Sequence, residues 1–193
     1  MKNLTVIIVT YNTPEKIITD CLKSIPKEIK VLIVENSKNL SYENQIISKF
    51  DNVEVVCTGD NLGYGCGNNF GIKHVKTDYI LILNPDVICE NKFFNNITMT
   101  INDVKDFTII GCQYLYDEVF MPAGFFDNKK NNEFREKFKK KQISSLTKVE
   151  WVTGCSMLIN LKKFVQKKIF DERFFLYFEE FDLCKSIINK GEN

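Results

Sequence analysis

A single histidine, His74, occurs among the 193 residues. Ser-His-Asp and Cys-His catalytic sets need a histidine, and His74 falls inside a helical pattern between Lys73 and Val75, a surface or packing position. No CxxC pair exists among the seven scattered cysteines, so neither a zinc site nor a disulfide framework is expected. They read as buried, reduced thiols of a cytoplasmic protein. No apolar run approaches the ~18 residues of a membrane span. The apolar run at 4–9 is too short for a signal peptide, and no cleavage site follows it. Net charge is only +1, so no global field draws in nucleic acid, and no nucleic-acid partner is expected. Arginine occurs twice against 24 lysines, a bias typical of AT-rich coding, so single lysines carry little functional weight. There is no internal repeat. What remains is an ordinary globular balance, 44% hydrophobic and 26% charged, in a length that suits one domain.

The first hundred residues alternate between strand and helix patterns. Leu4-Thr5-Val6-Ile7-Ile8-Val9, Val31-Leu32-Ile33-Val34, Val53-Glu54-Val55-Val56 and Tyr79-Ile80-Leu81-Ile82-Leu83 read as strands, the most apolar of them covered on both faces. Between them, Thr13-Pro14-Glu15 predicts a helix start with Thr13 as N-cap, and Pro26 ends that helix. Short helices are expected at 42–50 and 70–75, and another at 91–101. Further along, a strand is expected at 107–112, a helix at 161–167 and a last helix from Glu179 to Gly191. Residues 128–148 carry eight Lys or Arg against two Glu and read as a solvated insertion, with an anionic membrane contact as the alternative. This alternation predicts βαβ units and an α/β, Rossmann-like, mostly parallel sheet flanked by helices.

Ligands of such sheets bind beyond the carboxyl ends of the strands. The groups there are Thr10-Tyr11-Asn12, Glu35-Asn36, Gly59-Asp60-Asn61 and Asn84-Pro85-Asp86, all polar. Asp86 sits on a proline turn after a buried strand, suited to a hard divalent ion and, through it, to phosphates; a plain strand-ending turn has the same composition. Asn61-Leu62-Gly63-Tyr64-Gly65-Cys66-Gly67-Asn68-Asn69 has GxGxG spacing rather than a dinucleotide fingerprint. It reads as a loop whose backbone approaches a ligand, or as a flexible connection. Glu179-Glu180-Phe181-Asp182 starts a helix, where acids complement the dipole. One of them could instead serve as a general base, with Glu180 turned about 100° from Glu179.

In order along the chain, Val6-Ile7-Ile8-Val9-Thr10-Tyr11-Asn12, Val34-Glu35-Asn36, Asn61-Leu62-Gly63-Tyr64-Gly65, Gly67-Asn68-Asn69, Ile82-Leu83-Asn84-Pro85-Asp86 and Phe170-Asp171-Glu172-Arg173-Phe174-Phe175-Leu176-Tyr177-Phe178-Glu179-Glu180-Phe181-Asp182-Leu183-Cys184 resemble glycosyltransferase family 2, especially its rhamnosyltransferase-like branch. Each motif is weak alone and the ordered set is specific. The resemblance implies a GT-A fold over 1–193, with a nucleotide-binding half at 1–112, a variable basic insertion at 113–148 and an acceptor and catalytic-base half at 149–193. It implies inverting transfer from a nucleotide-diphosphate sugar, UDP- or dTDP-linked, to a hydroxyl on a saccharide or lipid-linked acceptor in cell-surface polysaccharide synthesis. The setting would be the cytoplasm, at the inner face of the membrane. Thr10, Tyr11, Asn12, Glu35, Asn61, Gly65, Asn68 and Asn84 would bind the nucleotide, and Asp86 a Mg2+ or Mn2+ ion. Gly154 would lie near donor and acceptor. Glu180 would be the catalytic base, with Glu179 and Asp182 supporting it. Glu35 stands where the family usually has Asp, and Asn84 where it has the first Asp of DxD. Relatives continue beyond the acidic helix, so the chain reads as short at its C-terminus.

Two other readings compete. A nucleotidyltransferase would carry a Gly-rich or basic phosphate loop after the first strand, where this chain has Thr10-Tyr11-Asn12-Thr13-Pro14. A non-catalytic or truncated nucleotide-sugar-binding domain would bind without turnover.

Overall fold

The computed structural model describes residues 3–39, 46, 48–104, 106–127, 129–142 and 146–192. Its centre is a six-stranded sheet built from β1 (Leu4–Thr10), β2 (Lys30–Glu35), β3 (Val53–Cys57), β4 (Tyr79–Leu83), β5 (Ile109–Gly111) and β10 (Ser156–Asn160). The spatial order is β3-β2-β1-β4-β10-β5. β1 pairs in parallel with β2 and β4, and β2 with β3, whereas β10 runs antiparallel to both β4 and β5. The segment expected to form the acceptor half thus supplies a strand between β4 and the edge strand β5.

The continuous apolar runs have a direct physical reading, because successive side chains feed opposite faces. Val6 and Ile8 of β1, Val31 and Ile33 of β2, Leu81 and Leu83 of β4 and Leu158 of β10 enter one core. There they meet Ile18, Cys21 and Leu22 of α1 (Glu15–Lys23) and Phe94 and Ile97 of the helix Phe93–Asp103. Ile7, Val9, Leu32, Val34, Ile80, Ile82, Met157 and Ile159 enter the other. They face Ile72 of α2 (Tyr64–His74) and Leu183 and Ile187 of the last helix, Glu179–Asn189. Each such fully buried side chain stabilises by roughly 1.5–3 kcal/mol, which is why the strands of this sheet need no alternation.

In chain order the helices after α2 are α3 (Phe93–Asp103), α4 (Lys129–Lys139) and α5 (Glu179–Asn189). Two short ladders complete the chain, β6 (Tyr114–Tyr116) with β7 (Val119–Met121), and β8 (Gly124–Phe125) with β9 (Trp151–Val152).

Several local expectations change. Pro14, extended at ψ 135°, occupies the N-cap of α1 and no side chain caps it; the Thr13 hydroxyl accepts instead from the Tyr11 N–H at 3.4 Å. The helix expected at 42–50 falls largely outside the described residues, although Ile46 is buried in the first core. The helix expected at 161–167 is a single 3-10 turn, Leu161–Lys163, begun by the Asn160 side chain accepting from the Lys162 N–H. The region 128–148, read as a solvated insertion, contains α4, which buries no residue.

A candidate active site at the carboxyl ends of the strands

The glycine-rich stretch is the largest correction. Only its first residues form a turn; from Tyr64 onward it is helix α2. Gly63 starts the helix with φ +83°, and the Tyr64 N–H is held by the Phe175 carbonyl at 3.0 Å. A Cβ on Gly67 would stand 2.9 Å from Val9, and one on Gly71 2.7 Å from Val34. On Gly65 it would stand 3.1 Å from Phe170 and 3.4 Å from Glu179. Gly65 is therefore a packing glycine, one of three that bring α2 close to the sheet and to the acidic helix, rather than a loop glycine.

The loop before α2 is tied to the end of β2. The Asn36 amide donates to the Gly63 carbonyl at 3.0 Å and to Asn61 Oδ1 at 3.2 Å, and its oxygen accepts from the Leu62 N–H and the Thr58 hydroxyl, both at 3.1 Å. Asn61 Oδ1 also accepts from the Gly63 N–H at 3.1 Å. Asn36, at the end of β2, is the pin of this loop.

The pinned loop forms one wall of a cleft of about 480 Å³. Tyr11 and Asn12 come from the loop after β1, residues 37–39 from the loop after β2, and Asp60 and Asn61 from the loop after β3. Tyr11 is 53% exposed, and Asn12 adopts φ +49°, a left-handed conformation that asparagine tolerates. Thr10 and Glu35 lie at the strand ends beside this cleft, both fully buried. The Thr10 hydroxyl donates to Glu35 Oε2 at 2.7 Å, and Glu35 Oε1 has no partner. Of the residues expected at the nucleotide, Tyr11, Asn12 and Asn61 line the cleft, while Thr10, Glu35, Gly65, Asn68 and Asn84 do not. Asn68 is buried in α2, donating to the Tyr64 carbonyl at 3.0 Å, with its own oxygen unpartnered.

A second group surrounds residues 153–155. The Tyr64 hydroxyl donates to the Gly154 carbonyl at 2.7 Å. Burial first, and then the nearby acids Glu179 and Glu180 among its neighbours, raise the Tyr64 phenol above its ordinary range, so it stays a donor. A Cβ on Gly154 would stand 3.6 Å from the Glu180 carboxyl group. On the other side, the Asn84 N–H donates to the Cys155 carbonyl at 3.0 Å, which ties the Asn84-Pro85-Asp86 turn to the same segment. The Cys155 thiol is pushed up by burial. Asp86 is exposed and Glu180 partly buried.

The three acids of α5 differ more than the sequence suggested. Glu179 is 4% exposed, and its carboxyl pKa is raised by burial and by the Glu180 charge. Glu180 keeps one buried carboxylate oxygen without a partner, as does Glu179. Asp182 is partly exposed, so it does not share the burial of Glu179 despite sharing its helical face. Asn69, to which no role was given, joins α2 to the strand of chain before the acids. Its oxygen accepts from the Ile169 and Phe170 N–H groups at 2.9 and 3.0 Å, and its amide donates to the Phe170 carbonyl at 2.8 Å.

A divalent ion would find one exposed hard oxygen donor at Asp86. Among the described residues no three His, Cys, Asp or Glu side chains gather as a ligand set. An exposed carboxylate on a strand-end turn is the kind of donor that a Mg2+ ion uses together with water and substrate phosphates.

Known proteins resemble this chain in sequence and in fold. Rhamnosyltransferase WbbL of Escherichia coli (strain K12) is 26% identical over 93% of this chain and 74% of its own length. The low-salt glycan biosynthesis hexosyltransferase Agl10 of Haloferax volcanii is 27% identical over 95% of this chain and 61% of its own. Among solved structures, the mannosyltransferase PcManGT from Pyrobaculum calidifontis, in complex with GDP-Man and Mn2+, superposes with a TM-score of 0.69 at 14% identity, covering 99% of this chain and 53% of that one. TarS 1-349 of S. aureus with UDP-GlcNAc gives 0.66 at 17% identity, over 94% and 52%. The chain thus spans about half the length of these solved relatives, and the shared fold is that of GT-A glycosyltransferases. The family model for glycosyl transferase family 2 matches residues 5–171, and the chain belongs to that family.

Proposed function

We propose that this chain moves a sugar from a nucleotide-diphosphate sugar to a hydroxyl acceptor, with inversion, in the synthesis of a cell-surface polysaccharide. The observation that carries the reading is that the turn bearing the exposed carboxylate of Asp86 is tied to Cys155 through the Asn84 N–H, while the partly buried Glu180 carboxyl group packs beside Gly154. Glu35 supports it. An unpartnered buried carboxylate oxygen beside the cleft is an acceptor for a base N–H, which uracil and thymine both offer, and Tyr11 supplies an aromatic face for the nucleoside.

Asp86 would hold Mg2+ or Mn2+ against the diphosphate. When bound, the ion supplies neutralisation of charge developing on the leaving phosphate oxygen. Glu180 takes the proton of the acceptor hydroxyl as its oxygen attacks the anomeric carbon from the face opposite the diphosphate. The Tyr64 hydroxyl, fixed on the Gly154 carbonyl, holds the segment against which Glu180 packs. A single displacement of this kind inverts the anomeric centre. The names of the two curated relatives, a rhamnosyltransferase and a glycan-biosynthesis hexosyltransferase, support the substrate class and a saccharide or lipid-linked acceptor.

Calorimetry with UDP and dTDP tests the donor side. Binding should require Mg2+ or Mn2+, and Asp86→Asn should abolish the metal-dependent part while leaving the melting temperature unchanged. Equal affinity with and without chelator would overturn this assignment.

The same reading places the chain in the cytoplasm, at the inner face of the membrane. Among the described residues no helix is long and apolar enough to cross a membrane. Helix α4 supports a peripheral contact: it buries nothing, its Phe134 and Phe138 rings lie 6.5 Å apart, and lysines and Arg135 cover much of the rest. Cosedimentation with phosphatidylserine vesicles, lost on replacing Lys129, Lys130, Lys137 and Lys139 by glutamine, is the expected result.

A further inference from the structure

Just before α5 the chain exposes four apolar side chains in succession: Phe175, Leu176, Tyr177 and Phe178, the last two at 70% and 69%. Tyr177 and Phe178 both adopt φ +68°. Bulky aromatic residues rarely enter the left-handed region, and two in succession persist only where the surroundings hold them there. The surroundings do so here. The Phe175 carbonyl is fixed by the Tyr64 N–H at 3.0 Å, the Phe178 carbonyl by the Asp182 N–H at 2.9 Å, and the Phe174 N–H by the Asp171 carbonyl at 3.3 Å. Gly63 lies so close that a Cβ there would stand 2.1 Å from the Phe175 oxygen. The backbone is strapped down at both ends while the side chains between are turned to solvent.

We propose that Tyr177 and Phe178 form a stacking platform for a pyranose ring of the acceptor. The inference rests on the reading of Glu180 as the group that receives the acceptor's proton, and adds to it a surface that positions the acceptor. Three observations select a sugar over other apolar or amphipathic partners. First, a pyranose presents C–H bonds on its faces and hydroxyls at its rim, and so needs an aromatic face beside hydrogen-bond acceptors. Glu180, two residues after the aromatic pair, is partly exposed and lies beside Gly154, and it supplies a carboxylate acceptor. Second, the neighbourhood is acidic: Asp171, Glu172, Glu179, Glu180 and Asp182 surround the loop, Arg173 is engaged by Asp171 and Lys168 by Glu172. Such a field disfavours an anionic bilayer and leaves a neutral saccharide unaffected. Third, the strap connects the loop to the nucleotide cleft, because the Asn36 amide that organises the cleft wall holds Gly63, and the next residue holds Phe175. The platform is therefore fixed relative to the cleft on one side and Glu180 on the other. Tyr177 and Phe178 are positioning residues; they take no part in proton or bond transfer.

The test uses the whole chain with UDP and Mg2+, and saturation-transfer NMR on methyl pyranosides of rhamnose, glucose, galactose and N-acetylglucosamine at millimolar concentration. Transfer to the ring C–H protons of at least one sugar is expected. Each aromatic ring removed should weaken binding about two- to tenfold. Asparagine tolerates the left-handed conformation, so Tyr177→Asn and Phe178→Asn remove the rings without demanding a new backbone, and Tyr177→Phe should retain the signal. UDP affinity should be the same in all of them. Absence of transfer from every pyranoside, unchanged transfer in the Tyr177→Asn/Phe178→Asn double variant, or loss of phosphatidylserine vesicle binding in that variant would each overturn the proposal. Pyranoside transfer without UDP binding would instead refute the donor assignment and leave the platform standing.

Discussion

Thr10 donates its hydroxyl hydrogen to Glu35 across the β1–β2 pair at 2.7 Å, and both side chains are wholly buried. The bond satisfies one carboxylate oxygen, and the other, Oε1, is buried without a protein partner. Thr10→Val takes away that donor and should lower stability in urea by about 1–3 kcal/mol. Glu35→Gln should act mainly on ligand affinity, weakening UDP and dTDP in calorimetry with a smaller change in the urea midpoint. If neither nucleotide distinguishes Glu35→Gln from the natural chain, Oε1 does not face the base.

Glu180→Gln keeps the shape of the side chain beside Gly154 and removes its basicity. Turnover should fall by about 10²–10⁴-fold with donor affinity almost unchanged. A rate per folded molecule equal to that of the natural chain would show that Glu180 only complements the α5 dipole.

Glu179 should report itself through pH. Burial, followed by the Glu180 charge, raises its folded-state pKa above 4.5, so the native chain holds this proton more tightly than the unfolded chain. Stability from this group is therefore greatest below the unfolded pKa and is lost as pH rises through the raised folded value. Glu179→Gln carries no charge to desolvate. Its melting temperature should exceed that of the natural chain at about pH 8 and approach it at about pH 4. Parallel melting curves at both values would remove the basis for a shifted Glu179.

Gly63 and Gly59 both have positive φ, +83° and +82°, but differ in space. Nothing lies within 4 Å of a Cβ on Gly59, so Gly59→Ala should cost only the backbone strain, about 1–2 kcal/mol. Gly63→Ala meets the Phe175 backbone as well and should cost several times more, or fail to fold, and should release the 175–178 loop to proteolysis. Equal melting temperatures for the two variants would contradict this packing.

Much of the sheet was legible because burial on both faces leaves a direct mark. The runs in β1, β2 and β4 are β-branched and continuous, and their ends point to the site by the ordinary rule for parallel sheets. The glycine-rich stretch misled for a physical reason. Its glycines serve close packing against Val9 and Val34, partners far away in sequence, and the local pattern is the same as that of a loop. The Tyr64–Gly154 bond spans 90 residues and left no local signal. The ladders β6–β7 and β8–β9 are strands of two or three residues, too short to show a period. Helix α4 carries one local signal in the sequence, the Glu133–Lys137 pair one turn apart, closed at 2.8 Å. The acids of α5 were visible as a group. Their unequal burial depends on Gly65 and Phe170, and so on the tertiary packing of α2.

Gly111 and Met157 are register partners on neighbouring strands, so everything between β5 and β10 leaves the sheet and rejoins it at a single seam. The end of this segment next to β10 belongs to the core and the candidate site through Val152, Gly154 and Cys155, whereas β6, β7 and α4 bury no residue. Doubling the length of a flexible excursion adds only about 0.6 kcal/mol to its closure, whatever its new sequence. Lengthening at the β6–β7 ladder or at α4 would therefore cost the pairing of β1, β2 and β4 little. One excursion from the sheet thus has an inner end held by the core and the strand-end turns and an outer part whose length the sheet does not fix.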